Sequence, residues 1–374
     1  MRIAFISPFS PLKGGIARFS GLLEAAFRRQ GHDVVAIAFR KLYPRFITKD
    51  PEPTLPEEAT LVLFNPFSWF ATIRRIRLLK PDILLVAYWT GLLAPLCYVL
   101  RRFCNVKMVV LLHNLSSHES FFFEPLMKKV LQTSADGFLA LSGTVSGDAG
   151  KSMPDIPRMT LFHPVYEPVG KTPTSMEARR RLNLDVNSPV LLFFGYVRYY
   201  KGLDTLLHAM PAILLKSPTL RLVVAGYFYE DLVKYQRLVD QLGIHDHVDI
   251  YPGYVAPDQT GPYFAAADAV VLPYRSATQS GVVQLAYGYG VPVIVTPVGA
   301  LPEMVRHGQT GWIARDTSSD GITAAVGEFL DCQDQLNAMR AAIGAFCHEF
   351  SWESFAESAG SFLEAIAAGR RWSR

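Results

Sequence analysis

Short apolar runs alternate with helical patterns along the whole chain. In the first half, the apolar runs predict strands at residues 3–7, 34–39, 60–64, 83–88, 108–112 and 137–141. Amphipathic stretches such as 15–29 and 119–133 separate most of these strands and predict helices. Near-continuous apolar strands that alternate with helices are typical of a parallel sheet covered on both faces. The first half is therefore predicted to be a Rossmann-like α/β domain.

The alternation is interrupted once and then repeats. Residues 165–187 hold two prolines and an arginine run without a regular pattern, which is typical of a domain boundary. Beyond them, strands are predicted at 190–194, 220–225, 248–251, 269–272 and 293–295, with helices from 202, at 232–242 and from 280. We therefore predict an α/β protein in which a domain over 1–166 faces a second Rossmann-like domain over 167–350 across a cleft. Ligands of such sheets bind beyond the carboxyl ends of the strands.

The net charge of +4 is unevenly distributed along the chain. Residues 1–170 hold 20 Lys and Arg against 13 Asp and Glu, whereas the remainder holds 17 against 20. The basic half is expected to meet an anionic partner, either a phosphorylated acceptor or a membrane surface; scattered solvated arginines are the alternative. Nucleic acid is not expected, because no basic run has interleaved aromatic residues.

The cysteines and the first residues indicate a cytoplasmic location. The four cysteines show no CxxC pairing and lie in apolar or helical contexts, as expected of buried thiols in a reducing compartment. The N-terminal residues enter a strand pattern without the features of a signal peptide. Residues 83–100 lack charge and reach the lower length limit of a membrane span. Thr90-Gly91 and Pro95 interrupt this stretch, so a strand followed by a helix is predicted instead.

The loop after the predicted strand 190–194 contains the strongest candidate chemistry. It carries Gly195, Arg198 and Lys201. A planar guanidinium and an ammonium at the carboxyl end of a strand can neutralise the charge that develops on a departing diphosphate. An ordinary helix-entry loop at Lys201-Gly202 is the alternative.

A second candidate follows the predicted strand 269–272. Ser280 is expected to cap a helix whose first N–H groups, with those of Gly281 and Val282, would point at a phosphate. Taken alone, these residues could also form a well-capped core helix.

Two candidates lie in the first half. Gly14 and Gly15 open a predicted helix, where backbone N–H groups can approach an anion closely, although a plain strand–helix turn is the alternative. His113 ends an apolar strand, where it could bond a hydroxyl or transfer a proton. A lone histidine in an apolar setting can equally be a core residue.

Other chemistries lack their motifs. The first loop does not match GxGxxG, and no acidic residue ends the second strand, which disfavours a nicotinamide-dependent enzyme. The sequence shows no GxSxG elbow, Walker loop, HExxH motif or compact cluster of metal-ligating residues. No metal is expected, because arginine, lysine and backbone amides would supply the positive charge.

Taken together, these stretches resemble glycosyltransferase family 4, the retaining two-domain group with the GT-B fold. The resemblance covers nearly the whole chain and rests on residues 14–15, 113, 195–202, 266–268, 290–294, 299–305, 308–311 and 350–352. In this family, the last of these stretches begins a helix that crosses back to the first domain, which implies a separate segment at 351–374. The first domain would be the acceptor side, and the second would bind a nucleotide sugar.

The resemblance also implies roles for single residues. The donor diphosphate would be held by Arg198, Lys201 and the amides of Gly281 and Val282. Gly195 and Ser280 would also belong to the donor site. His113 would contact the donor sugar near the reacting carbon, and Gly14 and Gly15 would lie near the diphosphate or the acceptor. Gly253 and Tyr254 match the region in which the family grips the base with backbone atoms.

The sequence departs from the family at two places. The family usually carries two glutamates eight residues apart, where this chain has Ala277 and Leu285. Gln279 or Gln284 could take over their hydrogen bonds to the donor. The usual arginine after the loop glycine is also displaced, because Tyr196 stands there and Arg198 comes later.

The sequence thus predicts a metal-independent, hexosyl-type retaining glycosyltransferase of polysaccharide biosynthesis. It would move a sugar from a nucleotide diphosphate, as co-substrate and without a further cofactor, to a glycan or lipid-linked acceptor. It would be cytoplasmic or peripheral on the inner face of the membrane. A non-catalytic nucleotide-sugar-binding subunit that supports a partner transferase is the main alternative, because the glutamates are missing. A nucleotide-sugar epimerase of the same fold is a second one.

Overall fold

The computed structural model describes residues 1–12, 14–42, 59–115, 123–278, 280–370 and 372. The chain divides into two compact units, the first formed by residues 1–163 with 351–374 and the second by residues 164–350. The division falls slightly before residue 166. The N–H groups of Val165 and Tyr166 donate to the carbonyls of Phe350 and Gln284, which belong to the second unit.

A parallel sheet forms the centre of the first unit. Its strands in the described residues are β1 (Arg2–Ser7), β2 (Asp33–Lys41), β3 (Leu61–Val62), β4 (Ile83–Tyr88), β5 (Met108–Leu112), β6 (Gly137–Ala140) and β7 (Arg158–Thr160). They lie in the order β3-β2-β1-β4-β5-β6-β7. Every residue of β4 and β5 is buried, because helices cover both faces of a parallel sheet. This burial accounts for the uninterrupted apolar runs in the sequence.

The helices of the first unit lie on both faces of this sheet. They are α1 (Gly15–Arg29), α2 (Pro66–Leu79), α3 (Ala94–Cys104), α4 (Glu124–Gln132) and α5 (Gly143–Ser152). Successive right-handed crossovers from β3 to β6 place α2, α3 and α4 on one face. The connection from β1 back to β2 places α1 on the other. The predicted helix 119–133 is represented by α4, and residues 116–122 lie outside the described residues.

The uncharged stretch 83–100 forms β4 and much of α3, as predicted. Within the described residues, no helix has both the length and the apolar character needed to cross a bilayer.

The second unit repeats this topology. Its strands are β8 (Val190–Phe194), β9 (Arg221–Gly226), β10 (Val248–Pro252), β11 (Ala269–Leu272), β12 (Val293–Val295) and β13 (Gly311–Ile313), in the order β10-β9-β8-β11-β12-β13. The helices are α6 (Ser175–Arg181), α7 (Leu203–Lys216), α8 (Leu232–Gln241), α9 (Gly261–Ala266), α10 (Gly281–Gly288), α11 (Ser319–Asp331) and α12 (Leu336–Glu349). The strand order reverses between β8 and β11, which is where sheets of this kind bind their ligands.

One helix lies in the segment that the sequence pattern leaves irregular. Thr174 and Glu177 form a reciprocal capping box that starts α6. Arg179 in this helix is buried, and its guanidinium pairs with the Asp268 carboxylate at 2.7 Å and donates to three backbone carbonyls. The arginine run is thus partly a structural anchor, which local periodicity does not reveal.

The last helix, α13 (Trp352–Ala367), belongs to the first unit. Ser351 caps it by accepting a hydrogen bond from the Ser354 N–H. The helix packs on α1, where the rings of Trp352 and Phe355 lie 5.0 and 5.8 Å from that of Phe19. The C-terminal segment therefore completes the core of the first unit.

Candidate functional site

The loop between β8 and α7 packs tightly against the ends of β9 and β11, the two strands that flank β8. Gly195 has φ 103°. Its carbonyl oxygen would lie only 1.7 Å from a Cβ built on Gly226. Gly202 has φ 66°, and a Cβ on it would lie 2.0 Å from the Pro273 carbonyl oxygen. Only glycine tolerates both the backbone conformation and this close approach. The loop is held in one place at the carboxyl edge of the sheet.

Arg275 fixes the middle of this loop from the end of β11. Its guanidinium pairs with both carboxylate oxygens of Asp204, at 2.9 and 2.8 Å, and donates to the Tyr199 carbonyl at 2.7 Å. The backbone N–H of Arg275 donates to the Tyr200 carbonyl. A bidentate ion pair with two backbone contacts gives the loop a defined geometry.

Lys201 places a charge inside this compact region. Its side chain is only 8% exposed, and among the described residues no carboxylate pairs with it. An ideal Cβ on Gly195 would lie 3.5 Å from its Nζ and 3.7 Å from Val282 Cγ2. The ammonium therefore lies beside the loop glycine and the first turn of α10. A buried cation without a counter-charge is costly, so an anion placed here would stabilise it.

The first turn of α10 supplies further positive potential. Ser280, which is buried, caps the helix as predicted, and its Oγ accepts a hydrogen bond from the Val282 N–H at 3.3 Å. The Tyr274 hydroxyl lies 3.3 Å from the same oxygen. Open N–H groups and the helix dipole favour an anion at such a terminus. The structure thus brings Gly195, Lys201, Ser280 and Val282 into one neighbourhood, with Gly281 in the same turn.

Arg198 lies on the other side of β8. Its exposed guanidinium stacks on the ring of Tyr229, with Cζ 3.9 Å from the centroid. Tyr229 follows β9, whereas Lys201 lies 5.1 Å from the ring of Tyr274, which follows β11. The Lys201 N–H donates to the Arg198 carbonyl at 2.9 Å, but in the described part of the chain no side-chain hydrogen bond, ion pair or ring contact joins Arg198 to Lys201 or to α10. The two cations that the sequence groups together therefore have different surroundings.

Tyr229 belongs to a group of four tyrosines at the ends of β8, β9 and β10. The tyrosine cluster consists of Tyr196, Tyr227, Tyr229 and Tyr254. Its rings lie 5.1 to 6.5 Å apart, and those of Tyr196 and Tyr254 are nearly parallel at 30°. Tyr254 follows Gly253, whose N–H donates to the Gly226 carbonyl at 2.9 Å.

Sequence reasoning missed Tyr227 and Tyr229. The signal was present in the alternation after Gly226, where Phe228 packs inward on Tyr235 and its two neighbours are partly exposed.

The first unit presents a different edge. Gly14, with φ 126°, precedes α1, which has no side-chain cap, and a Cβ on Gly14 or Gly15 would meet nothing within 4 Å. His113 is buried just after β5, with its N–H donating to the Tyr88 carbonyl at 2.9 Å. The rings of His113 and Phe19 meet edge to face at 5.0 Å.

The surroundings of His113 keep its imidazole neutral. Burial, together with the positive charge that His163 can carry, lowers its pKa to about 3. His163 itself packs against Phe19 at 5.1 Å. A neutral imidazole can donate one hydrogen bond and accept another. This geometry favours a hydrogen-bonding role for His113 over proton transfer near neutral pH.

Both halves of the chain match family models of glycosyltransferases. Residues 13–164 match the model described as Glycosyltransferase Family 4, and residues 188–332 match Glycosyl transferases group 1. The chain belongs to the family 4 type of glycosyltransferases.

Relatives agree with this assignment. The D-inositol 3-phosphate glycosyltransferase of Streptomyces griseus is 32% identical over 206 residues, which are 53% of this chain and 43% of the relative. The chain thus spans less than half the length of this curated relative.

Two solved structures are similar over 98% of the chain. Sucrose-phosphate synthase from Thermosynechococcus elongatus has a TM-score of 0.75 at 20% identity and is covered to 99%. HepE from Anabaena, solved with UDP-glucose, has a TM-score of 0.74 at 15% identity and is covered to 100%. These two structures establish the GT-B fold, with two Rossmann-like domains.

The described residues offer no obvious replacement for the two glutamates that are missing from this family 4 chain. Leu285 is buried. The backbone at Ala277 packs closely on Gly299, because a Cβ built on Gly299 would lie only 1.5 Å from the Ala277 carbonyl oxygen. Gln284 is buried too, and its Nε2 donates to Met304 Sδ at 3.4 Å, inside the core of the unit. Gln279 lies outside the described residues. In the described ranges, no group of three or more His, Cys, Asp and Glu could hold a metal ion.

Proposed function

We propose that this protein is a retaining glycosyltransferase that moves a hexose or similar sugar from a nucleotide diphosphate to a glycan or lipid-linked acceptor. The proposal rests on Lys201, a buried ammonium beside the N-terminus of α10 that pairs with no carboxylate of the described residues. This arrangement fits a phosphate group, and the diphosphate of a nucleotide sugar is the phosphate that family 4 members bind.

The proposed reaction breaks the bond between the anomeric carbon and the diphosphate oxygen. A bond from the acceptor hydroxyl forms on the same face of the sugar, and the hydroxyl proton passes to the leaving diphosphate. Lys201, the Gly281 N–H and the dipole of α10 would stabilise the charge that grows on this leaving group, whereas the predicted contact from the Val282 N–H is taken up by Ser280 Oγ. Arg198 is assigned a weaker contact with the nucleotide, because its guanidinium lies against Tyr229.

His113 is proposed to contact the donor sugar, as the resemblance implies. Because its pKa is about 3, the neutral imidazole would bond a sugar hydroxyl and would not exchange a proton during turnover. The Gly14 and Gly15 N–H groups would lie near the diphosphate or the acceptor.

The proposed enzyme is cytoplasmic and needs no metal ion, so turnover is expected to persist in a chelator. The basic excess of residues 1–170 supports an anionic membrane surface as a partner of the first unit.

The test is a thermal-shift screen across nucleotide sugars, followed by an assay of slow donor hydrolysis. A donor at 100 times its Kd is expected to stabilise the protein by about 2.7 kcal/mol. Hydrolysis of that donor without an acceptor indicates an active transferase. Binding without hydrolysis or transfer indicates the non-catalytic subunit, and an isomerised sugar indicates an epimerase. If no nucleotide sugar stabilises the protein, the proposal is wrong.

A further inference from the structure

Exposed apolar side chains concentrate on three successive helices of the first unit. On α2, Phe67 is 85% exposed and Leu78 75% exposed. Phe70 on the same helix, Tyr98 and Phe103 on α3 and Leu126 on α4 are also exposed. A contiguous patch of large apolar side chains marks an interaction surface more often than solvent contact.

These three helices form one continuous surface, which we call the α2–α4 face. The rings of Phe70 and Phe103 meet at 6.3 Å, and Arg77 Nε donates to the Phe103 carbonyl at 2.8 Å, so α2 and α3 are joined. A shallow apolar depression of about 400 Å³ runs between α3 and α4, lined by Pro95, Tyr98, Val99, Lys129, Val130 and Thr133. The exposed apolar residues thus belong to neighbouring elements of a single layer.

The same face is strongly basic. The three helices carry seven Lys and Arg and one acidic residue, Glu124. That carboxylate lies 3.6 Å from the Lys128 ammonium on the same helix. Arg74, Arg102 and Lys129 form no ion pair with any described residue, and Arg102 instead lies over the ring of Phe103 at 5.9 Å. Arg101 on α3 is compensated by Asp136 at 3.2 Å, so the charge available to an external anion is that of Arg74, Arg102 and Lys129.

This combination identifies the partner. Aromatic and aliphatic side chains beside uncompensated cations are the features with which helices lie on the interface of anionic bilayers. A protein partner would be expected to meet a more mixed charge pattern. We propose that the α2–α4 face docks on an anionic lipid bilayer. The inference deepens the membrane partner named in the proposed function, and it does not depend on the transfer chemistry.

The experiment measures sedimentation of the full chain with vesicles, with no nucleotide sugar present. The vesicles are of phosphatidylcholine alone or with about one-third phosphatidylglycerol, at fixed salt. Each neutralised Lys or Arg is expected to weaken the partition coefficient about five-fold. The triple variant Arg74→Gln, Arg102→Gln, Lys129→Gln should therefore weaken binding to the anionic vesicles about 100-fold. The double variant Phe67→Ser, Leu126→Ser should weaken it about ten-fold or more.

Matched controls come from exposed residues of the second unit. Arg340→Gln removes a cation from α12, and Leu215→Ser removes an apolar side chain that is 88% exposed on α7. Both are expected to bind vesicles like the wild type. All variants should keep the wild-type melting temperature, which shows that they fold.

The outcomes separate clearly. Absence of wild-type binding, equal binding to neutral vesicles, or equal losses in the controls would overturn the proposal. So would a lipid-free dimer that the double variant converts to a monomer, because a second copy would then cover the face. Failure of the nucleotide-sugar screen would leave the vesicle result unaffected, so the two proposals fail independently.

Discussion

The carboxyl edges of the two sheets share a topology but differ in electrostatic character, because one is positively charged and the other is neutral. In the second unit, β8 and β11 end at a buried ammonium and at an open helix terminus. In the first unit, β5 ends at a histidine whose pKa is lowered by burial and by His163, and a Cβ on the glycines before α1 would meet no atom within 4 Å. The fold determines where a ligand can approach, and the side chains at strand ends determine its charge. We therefore expect the second unit to contribute binding of the leaving group and the first to contribute neutral hydrogen bonds.

Replacing the ammonium should have the largest effect. Lys201→Ala is expected to lower turnover by ~10²-fold, as loss of one contact to a developing negative charge does. The matched control is Lys216→Ala, because that ammonium pairs with Asp331 at 2.6 Å on the surface of the same unit. Initial rates with saturating donor provide the measurement. Equal rates for Lys201→Ala and the control would show that the Lys201 ammonium does not stabilise the leaving group.

The packing of the two glycine loops provides a second contrast. Gly202→Ala should reduce the free energy of unfolding by about 2 kcal/mol, because its Cβ would clash with the Pro273 carbonyl at a positive φ. Gly14→Ala should cost less, because its φ of 126° also strains an alanine but its Cβ would meet nothing within 4 Å and adds no clash. Urea denaturation of both variants measures the difference. If the Gly14 variant is the less stable, the cation loop is not the more constrained one.

The two cations of the β8 loop should differ as well. Arg198→Ala is expected to lower turnover about ten-fold, less than Lys201→Ala, because Arg198 is exposed and stacked on Tyr229. Tyr229→Phe keeps the aromatic face and should behave like the wild type, whereas Tyr229→Leu should resemble the arginine variant. Steady-state rates decide this. A loss at Arg198 as large as that at Lys201 would indicate that both contact the leaving group directly.

The neutral histidine predicts the smallest effect, and it concerns stability. The folded pKa of His113 is about 3, below the ordinary value of 6.5, so the unfolded chain takes up the proton more readily. The stabilisation is complete above pH 6.5 and is lost as the pH falls towards 3. Between pH 6.5 and 5.5 the loss should be about 1 kcal/mol, and His113→Gln should lack it. Chemical denaturation at both pH values gives the change in the free energy of unfolding with pH for the wild type and for His113→Gln. Parallel slopes would show that the imidazole is not kept neutral.

The parts of the molecule that depend on local pattern could be predicted. Buried strands such as β4 and β5 appear in the sequence as uninterrupted apolar runs. The positions of Lys201, Ser280 and His113 near strand ends could be predicted from these runs. The short strands β7 and β13 were missed, because neither is a continuous apolar run, unlike the equally short β12.

The remainder depends on partners distant in sequence. Arg198 turns towards Tyr229, and the imidazole of His113 is held neutral by burial together with His163. The anchoring of Arg179 by Asp268 links residues almost ninety positions apart. No local pattern encodes such pairings, so residue type and spacing alone overstated the similarity of Arg198 and Lys201.

The C-terminal helix has a consequence for how this chain can be divided. Phe19 contacts His113 on one side and Trp352 and Phe355 on the other, so a side chain more than 200 positions downstream supports the candidate histidine. A premature stop before residue 351 would remove the rings of Trp352 and Phe355, which pack on Phe19 near the N-terminus. An isolated fragment of the first unit would therefore need residues 351–370 supplied in cis or as a separate peptide.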